Sequence, residues 1–202
     1  MSERGRAVYR KAADFQTAIV EARFELDVQG PYEAILSRVV LGAFRLLRVE
    51  ERSARQATVS LPDKCVLIAF PTEGASRQAW DNVEARRGEL LFFGPGASFH
   101  HSLSGRGSWA WIVAEPHSLS KWRRIFSGWE PDLPQSSSIL RPSSKVFKKL
   151  DRLHEEVASL SVSNPEFLEH GEVLRSLEQE LIQAIVTALA SQKSRNDPQE
   201  QD

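Results

Sequence analysis

Two hydrophobic rhythms divide the chain. From Phe24 to about Pro116, apolar residues come in short or alternating runs broken by turn residues, which is the pattern of β-strands. The predicted strands are 33–49, bent at Gly42, then 57–61, 66–70, 79–83, 89–93 and 108–114. Between them stand Leu61-Pro62-Asp63-Lys64, Gly94-Pro95-Gly96 and Ser104-Gly105-Arg106-Gly107, where Gly admits positive φ and Pro fixes φ at about −65°. Many short strands without intervening helices predict an antiparallel sandwich or barrel. Residues 1–12 lack any apolar period and read as a loose arm. Residues 13–23 suit a helix or an extra strand, with Ala and Glu favouring the helix. Residues 119–128 suit a short helix, and 129–138, with two prolines and three serines, reads as a linker.

After Pro142 the period changes. Val146, Leu150, Leu153, Val157 and Leu160 recur at steps of four, three, four and three, one face of an α-helix. Asn164-Pro165 marks a new start, with Asn as N-cap and Pro at the first helical position. The last helix carries Leu174, Leu177, Leu181, Ala184 and Ala188, flanked by Ile182, Ile185, Val186 and Leu189. That stripe is wider than a two-helix hairpin covers, so the barrel or a second chain must bury the remainder. Homodimerisation through Leu174, Leu177, Leu181 and Ile185 is the expectation, because symmetric pairing is the usual outlet for such a face. The predicted class is α+β: an antiparallel barrel over 1–135, a helical dimerisation region over 140–190, and a polar tail over 191–202.

Charge then removes several functions. In 202 residues, 26 Lys and Arg oppose 27 Asp and Glu, a net charge of −1, so no overall basic field draws in a phosphate backbone. Lys145, Lys148, Lys149 and Arg152 cluster at the start of the first long helix. Glutamates soon outnumber them, and a solvated helix face is the reading. No run approaches the ~20 apolar residues of a membrane span, and the start has no signal-peptide core. The single cysteine, Cys65, lies in an apolar run and reads as buried; with no disulfide possible within the chain, a cytoplasmic setting is expected.

Candidate chemistry is sparse. A catalytic metal needs three or four convergent ligands, whereas His100 and His101 are adjacent on a strand and point to opposite faces. His154 and His170 lack the spacing that sets two imidazoles on one helical face, and exposed positions are expected for both, as for His117. Cys65 has no neighbouring base, and neither a G-x-S-x-G elbow nor a phosphate loop is present. A non-catalytic protein without a cofactor is the expectation. Alternation along 108–114 sends Trp109, Trp111 and Val113 to one face and Ala110, Ile112 and Ala114 to the other. If the large face lines the barrel, Trp109 and Trp111, with Phe70, Trp80 and Phe93, form an apolar wall for a small-molecule effector, or else simply fill a core.

The string Gly88-Glu89-Leu90-Leu91-Phe92-Phe93-Gly94-Pro95-Gly96-Ala97-Ser98-Phe99-His100 resembles the cupin pattern of glycine turn, strand, Pro-Gly turn and histidine. Its usual upstream half, a His-x-His followed by a carboxylate, has no counterpart here. Further strings, Leu41-Gly42-Ala43-Phe44-Arg45-Leu46-Leu47-Arg48, Gly107-Ser108-Trp109-Ala110-Trp111-Ile112, Leu140-Arg141-Pro142 and Leu150-Asp151-Arg152-Leu153-His154, are similar to the N-terminal half of AraC-type transcriptional regulators. So are Asn164-Pro165-Glu166-Phe167-Leu168 and 173–181. The resemblance spans roughly 14–190. It implies an effector-sensing cupin-like jelly roll, a dimerising helical region and, normally, a C-terminal pair of helix-turn-helix units. The dozen polar residues after Ala190 are too few for such a unit, so no direct DNA binding by this chain is expected. Two other roles fit the pattern: a stand-alone cupin enzyme such as an isomerase or dioxygenase, or a truncated regulator acting by heterodimerisation.

Overall fold

The computed structural model describes residues 5–72, 77–81, 83–118 and 137–190. The elements are β1 (Gly5–Tyr9), α1 (Ala12–Ala18), β2 (Arg23–Val28), β3 (Ala34–Leu41), β4 (Phe44–Glu51), β5 (Arg55–Ser60) and β6 (Val66–Pro71). There follow β7 (Gln78–Trp80), β8 (Val83–Glu84), β9 (Leu90–Phe93), β10 (Ser98–Leu103), β11 (Gly107–Ala114) and β12 (Ser138–Leu140). The chain then forms α2 (Ser144–Ser163), a 3-10 turn (Pro165–Glu169) and α3 (Gly171–Ala190). A seven-stranded sheet, β1-β3-β4-β11-β6-β9-β12, faces a five-stranded one, β2-β5-β10-β7-β8. Every pairing is antiparallel, as the strand spacing predicts.

Strand β11 shows why these residues stack as they do. All eight of its residues are buried, because both faces of the sheet are covered there. Trp109, Trp111 and Val113 join the core between the sheets. Ala110, Ile112 and Ala114 join a second core with Phe147, Leu150, Leu153 and Val157 of α2 and with Leu181 and Ile185 of α3. Alternation thus puts the large rings inside the barrel and two small alanines where a helix packs close. Each fully buried Leu or Phe in that layer contributes roughly 1.5–3 kcal/mol, far more than helix propensity supplies. Helix α2 begins where Ser143 caps it, its side chain accepting from the Val146 N–H.

Several sequence-based expectations are corrected. The arm contains β1, which pairs with β3 from Gly5↔Arg38 to Tyr9↔Ala34; main-chain ladder bonds make a strand without an apolar period. The single long strand expected over 33–49 is a hairpin, β3 and β4, turning at Gly42 with φ of 56°. The stretch 79–83 splits into β7 and β8, which pair across a tight turn at Asp81. Ser138, read as linker, opens β12, which closes the sheet edge against β9. Asn164 precedes a 3-10 turn and makes no side-chain cap, and α3 starts at Gly171. Residues 13–23 do contain a helix, α1, whose last carbonyl, that of Ala18, accepts from Arg38, and Arg38 also pairs with the buried Glu21 after the helix at 2.8 Å. The helix expected over 119–128 lies outside the described residues, as does most of the 129–138 stretch.

Candidate functional site at the barrel end

Four of the five residues expected to wall a pocket lie in the core between the sheets: Trp80, Phe93, Trp109 and Trp111. Phe70 does not. Its ring faces outward into the helical layer, edge-on to Phe147 at 5.7 Å and to His154 at the same distance. Phe70 follows Ala69, an inward residue of β6, and strand alternation therefore sends it to the other face. The inward rings pack on one another: Phe93 stacks on Phe99 at 3.8 Å, Trp109 meets Trp111 at 4.9 Å, and Phe24 touches both tryptophans.

Sequence reasoning missed a polar cluster at one end of this interior. On β4 the alternation that turns Leu47 and Val49 inward also turns Glu51 inward, at the strand's last residue. The loop to β5 then brings Arg55 back onto it. Glu51 accepts from Arg55 Nη2 at 2.6 Å and Nε at 3.0 Å, from Trp109 Nε1 at 2.7 Å and from Tyr32 Oη at 2.9 Å. The Glu51 and Arg55 side chains have no solvent exposure. Four donors, two of them from the charged guanidinium, stabilise this buried carboxylate. The Tyr32 phenol is in turn held protonated, its pKa driven above the usual range by burial and by the Glu51 charge.

Of the two adjacent histidines, His100 is exposed and His101 is buried, as alternation requires. Arg55 Nη2 lies 3.0 Å from His101 Nδ1, and Nη1 donates to the His101 carbonyl. A guanidinium only donates, so Nδ1 is the acceptor and the proton sits on Nε2. Burial, and secondarily the Arg55 charge, pushes the His101 pKa well below its ordinary value. The ring stacks on Trp80 at 4.0 Å, nearly parallel. Facing this interior, His101 Nε2, Trp80 Nε1, Trp111 Nε1 and Gln78 Oε1 are buried without a hydrogen-bond partner.

The cluster underlies a groove of about 610 Å³ whose lining includes Asp27, Arg55, Arg77, Ala79, Glu84 and Leu103. A second groove of about 630 Å³ adjoins it at Gln29 and Ala54 and includes Tyr32. The two grooves therefore approach Glu51 from either side, one over Arg55 and one over Tyr32. None of the five predicted pocket residues lines either groove. Inward alternation to Glu51 and the four-residue spacing to Arg55 were the available signals, but Tyr32, Trp109 and His101 reach the pair from distant parts of the chain.

Across the sheet, the outer layer also departs from expectation. His154 is fully buried, not exposed; its Nε2 lies 3.2 Å from the Trp111 carbonyl. Burial first, and the Arg48 charge next, lower its pKa to about 4. One turn away, Asp151 pairs with Arg48 at 3.1 Å and Arg87 at 3.3 Å, tying α2 to the barrel. His117 and His170 are exposed. Of the predicted dimerisation residues, Leu181 and Ile185 are buried within the chain, while Leu174 and Leu177 are half-buried at the margin of the same core. The sheet thus covers the inner part of the stripe. Phe167 and Val162 nearby in sequence are exposed.

Among the described residues, no group of three or more His, Cys, Asp or Glu side chains is placed to share a metal ion. None of their helices is long and apolar enough to cross a membrane. No protein-family model matches the sequence, and no curated protein matches it. Solved structures do. The AraC-like transcriptional activator CuxR aligns over 92% of this chain and 70% of its own, with a TM-score of 0.59 at 15% identity. Looser likeness extends to a cupin 2 conserved barrel protein from Rhodopseudomonas palustris, covering 77% of this chain and 89% of that one, with a TM-score of 0.35 at 15% identity. An RmlC-like cupin from Shewanella frigidimarina covers 47% and 85%, with a TM-score of 0.31 at 10% identity. In fold, the chain is similar to the AraC-like activator CuxR, with a barrel of two antiparallel sheets leading into paired helices.

Proposed function

We propose that this chain is a non-catalytic sensing and dimerising region of an AraC-type transcriptional regulator, acting in the cytoplasm. The observation that carries the reading is the buried Tyr32–Glu51–Arg55–His101 cluster beneath a groove of about 610 Å³. Burying an ion pair usually gains little stability over packed apolar residues, so its presence under a groove favours recognition over mere cohesion. The cluster suits binding: Glu51 is saturated with donors and His101 is neutral, with its basic nitrogen occupied by Arg55.

Transmission to a partner chain falls to α2 and α3. They rest on β11 through His154 and on the β3–β4 turn through Glu178, whose carboxylate accepts from the Ala43 N–H at 3.1 Å. The half-buried Leu174 and Leu177 supply the proposed dimer contact. Sedimentation velocity tests it: a concentration-dependent dimer that Leu177→Glu converts to a monomer is expected, and a strict monomer at about 100 µM, which means pairing weaker than roughly 5–6 kcal/mol, refutes it. A thermal-shift screen of small metabolites tests sensing. Stabilisation lost on Arg55→Met supports it, and a flat response across the screen counts against it.

A further inference from the structure

Building on the sensing role proposed above, we infer that the barrel end takes an uncharged polar ligand. Its carbonyl or hydroxyl oxygen, beside an N–H or O–H donor, completes His101 Nε2–H, Trp80 Nε1–H and Gln78 Oε1. These three residues share the inward side of β7 and β10, where His101 pairs with Trp80 and Leu103 with Gln78. All three are almost wholly buried, and those three atoms lack partners. A group of unmet donors and acceptors in one interior is costly unless water or a ligand meets them.

The hydrogen-bonding sense of each atom is fixed. Arg55 occupies His101 Nδ1, which leaves Nε2 as the donor. Gln78 gives its amide N–H to the Ser108 carbonyl at 2.8 Å, so Oε1 is the end left free to accept. An indole N–H only donates. Two donors and one acceptor on one face match a primary carboxamide: its oxygen takes two N–H groups while its own N–H serves Gln78.

Charge balance argues against an acid. Beneath the groove, Arg55 is already neutralised by Glu51. At its rim, Arg77 is set against Asp27 and Glu84. Two cations thus face three carboxylates, and an incoming anion finds no spare positive charge to offset its desolvation. Arg55 and Leu103, which line the groove, are the site's neighbours: Arg55 bonds His101, and Leu103 lies opposite Gln78.

The test is ¹⁵N NMR of the whole chain titrated with propionamide and, separately, with propionate, which has nearly the same shape but a negative charge. Propionamide is expected to move the Trp80 Nε1–H and His101 Nε2–H signals saturably. The Trp109 Nε1–H, already bonded to Glu51, is expected to move much less. Propionate is expected to bind at least about tenfold more weakly, the scale of one lost charge-compatible contact. Trp80→Phe assigns the indole signal, and Gln78→Met is expected to weaken propionamide several-fold. Equal or stronger binding of propionate overturns the ligand class while leaving effector sensing intact. Silence of both signals with both probes overturns the site, leaving those atoms to water, and the metabolite screen then judges sensing independently.

Discussion

Replacing Glu51 with Gln keeps the side chain's shape and removes its charge. In the native protein the Glu51 carboxylate is fully buried and takes hydrogen bonds from Arg55, Trp109 and Tyr32. In Glu51→Gln one oxygen becomes an N–H₂ group pointing at donors, and the Arg55 guanidinium is left charged and unpaired in the interior. Stranding one partner of a buried pair costs about 3–5 kcal/mol. For a chain of this size each kcal/mol lowers the thermal midpoint by about 2–4 °C, so a fall of about 6–20 °C is expected. Arg55→Met leaves the opposite charge stranded and is expected to cost a similar amount. The double variant Glu51→Gln/Arg55→Met removes both charges; the amide facing the Tyr32 and Trp109 donors accepts through one oxygen only, so unmet polar groups still cost about 1–3 kcal/mol each. It is therefore expected to fall short of the sum of the singles by about 2 kcal/mol or more. Urea unfolding at pH 7.5, followed by tryptophan fluorescence, measures all three. A Glu51→Gln loss below about 1 kcal/mol, or strict additivity, refutes the buried cluster as described.

Acid sensitivity is expected to centre on His154. Its folded pKa of about 4 lies below the ordinary 6.5, so its neutral form supports stability above pH 6.5. That support, about 3 kcal/mol, is withdrawn as the pH falls from 6.5 to 4, because the unfolded chain takes up the proton first. His101 adds to the loss in the same direction. His154→Leu is expected to flatten the stability–pH curve over that range, and an unchanged slope argues against it. At Gly42, φ is 56° and an added Cβ would run into the Glu178 carboxylate. Gly42→Ala is expected to cost about 1–2 kcal/mol from the backbone alone, so adding Glu178→Ala restores little; full rescue contradicts the assigned strain. Phe70→Ala is expected to cost about 3–5 kcal/mol while leaving ligand affinity of the folded protein unchanged, since its ring supports α2. A selective loss of affinity there returns Phe70 to the binding site.

Local patterns were legible where one rule governed them. Alternation placed Trp109 and Trp111 inside and Ala110 and Ile112 outside, and the same rule split His100 from His101. The step of four and three over Val146–Leu160 forecast α2, although it starts at Ser144 and runs to Ser163. What resisted reading depends on partners distant in the chain. Phe70 lies in an apolar run buried on both faces, so the pattern carries no inside or outside. His154 resembles a surface residue until α2 is laid on β11. Leu181 and Ile185 advertise a partner, but the partner is the barrel's own outer face. Glu51, Arg55, His101 and Gln78 look like ordinary strand-end polar residues, and only the fold brings them to one end of the barrel.

Small-molecule binding at this barrel end is read out by native mass spectrometry of the chain incubated with a low-molecular-weight cell extract. A discrete adduct of unit stoichiometry, absent from Arg55→Met, is expected, accompanied by a rise in thermal midpoint; at a hundredfold excess over Kd that stabilisation is about 2.7 kcal/mol. An unliganded spectrum with an unmoved midpoint, or an adduct that Arg55→Met retains at full strength, contradicts it.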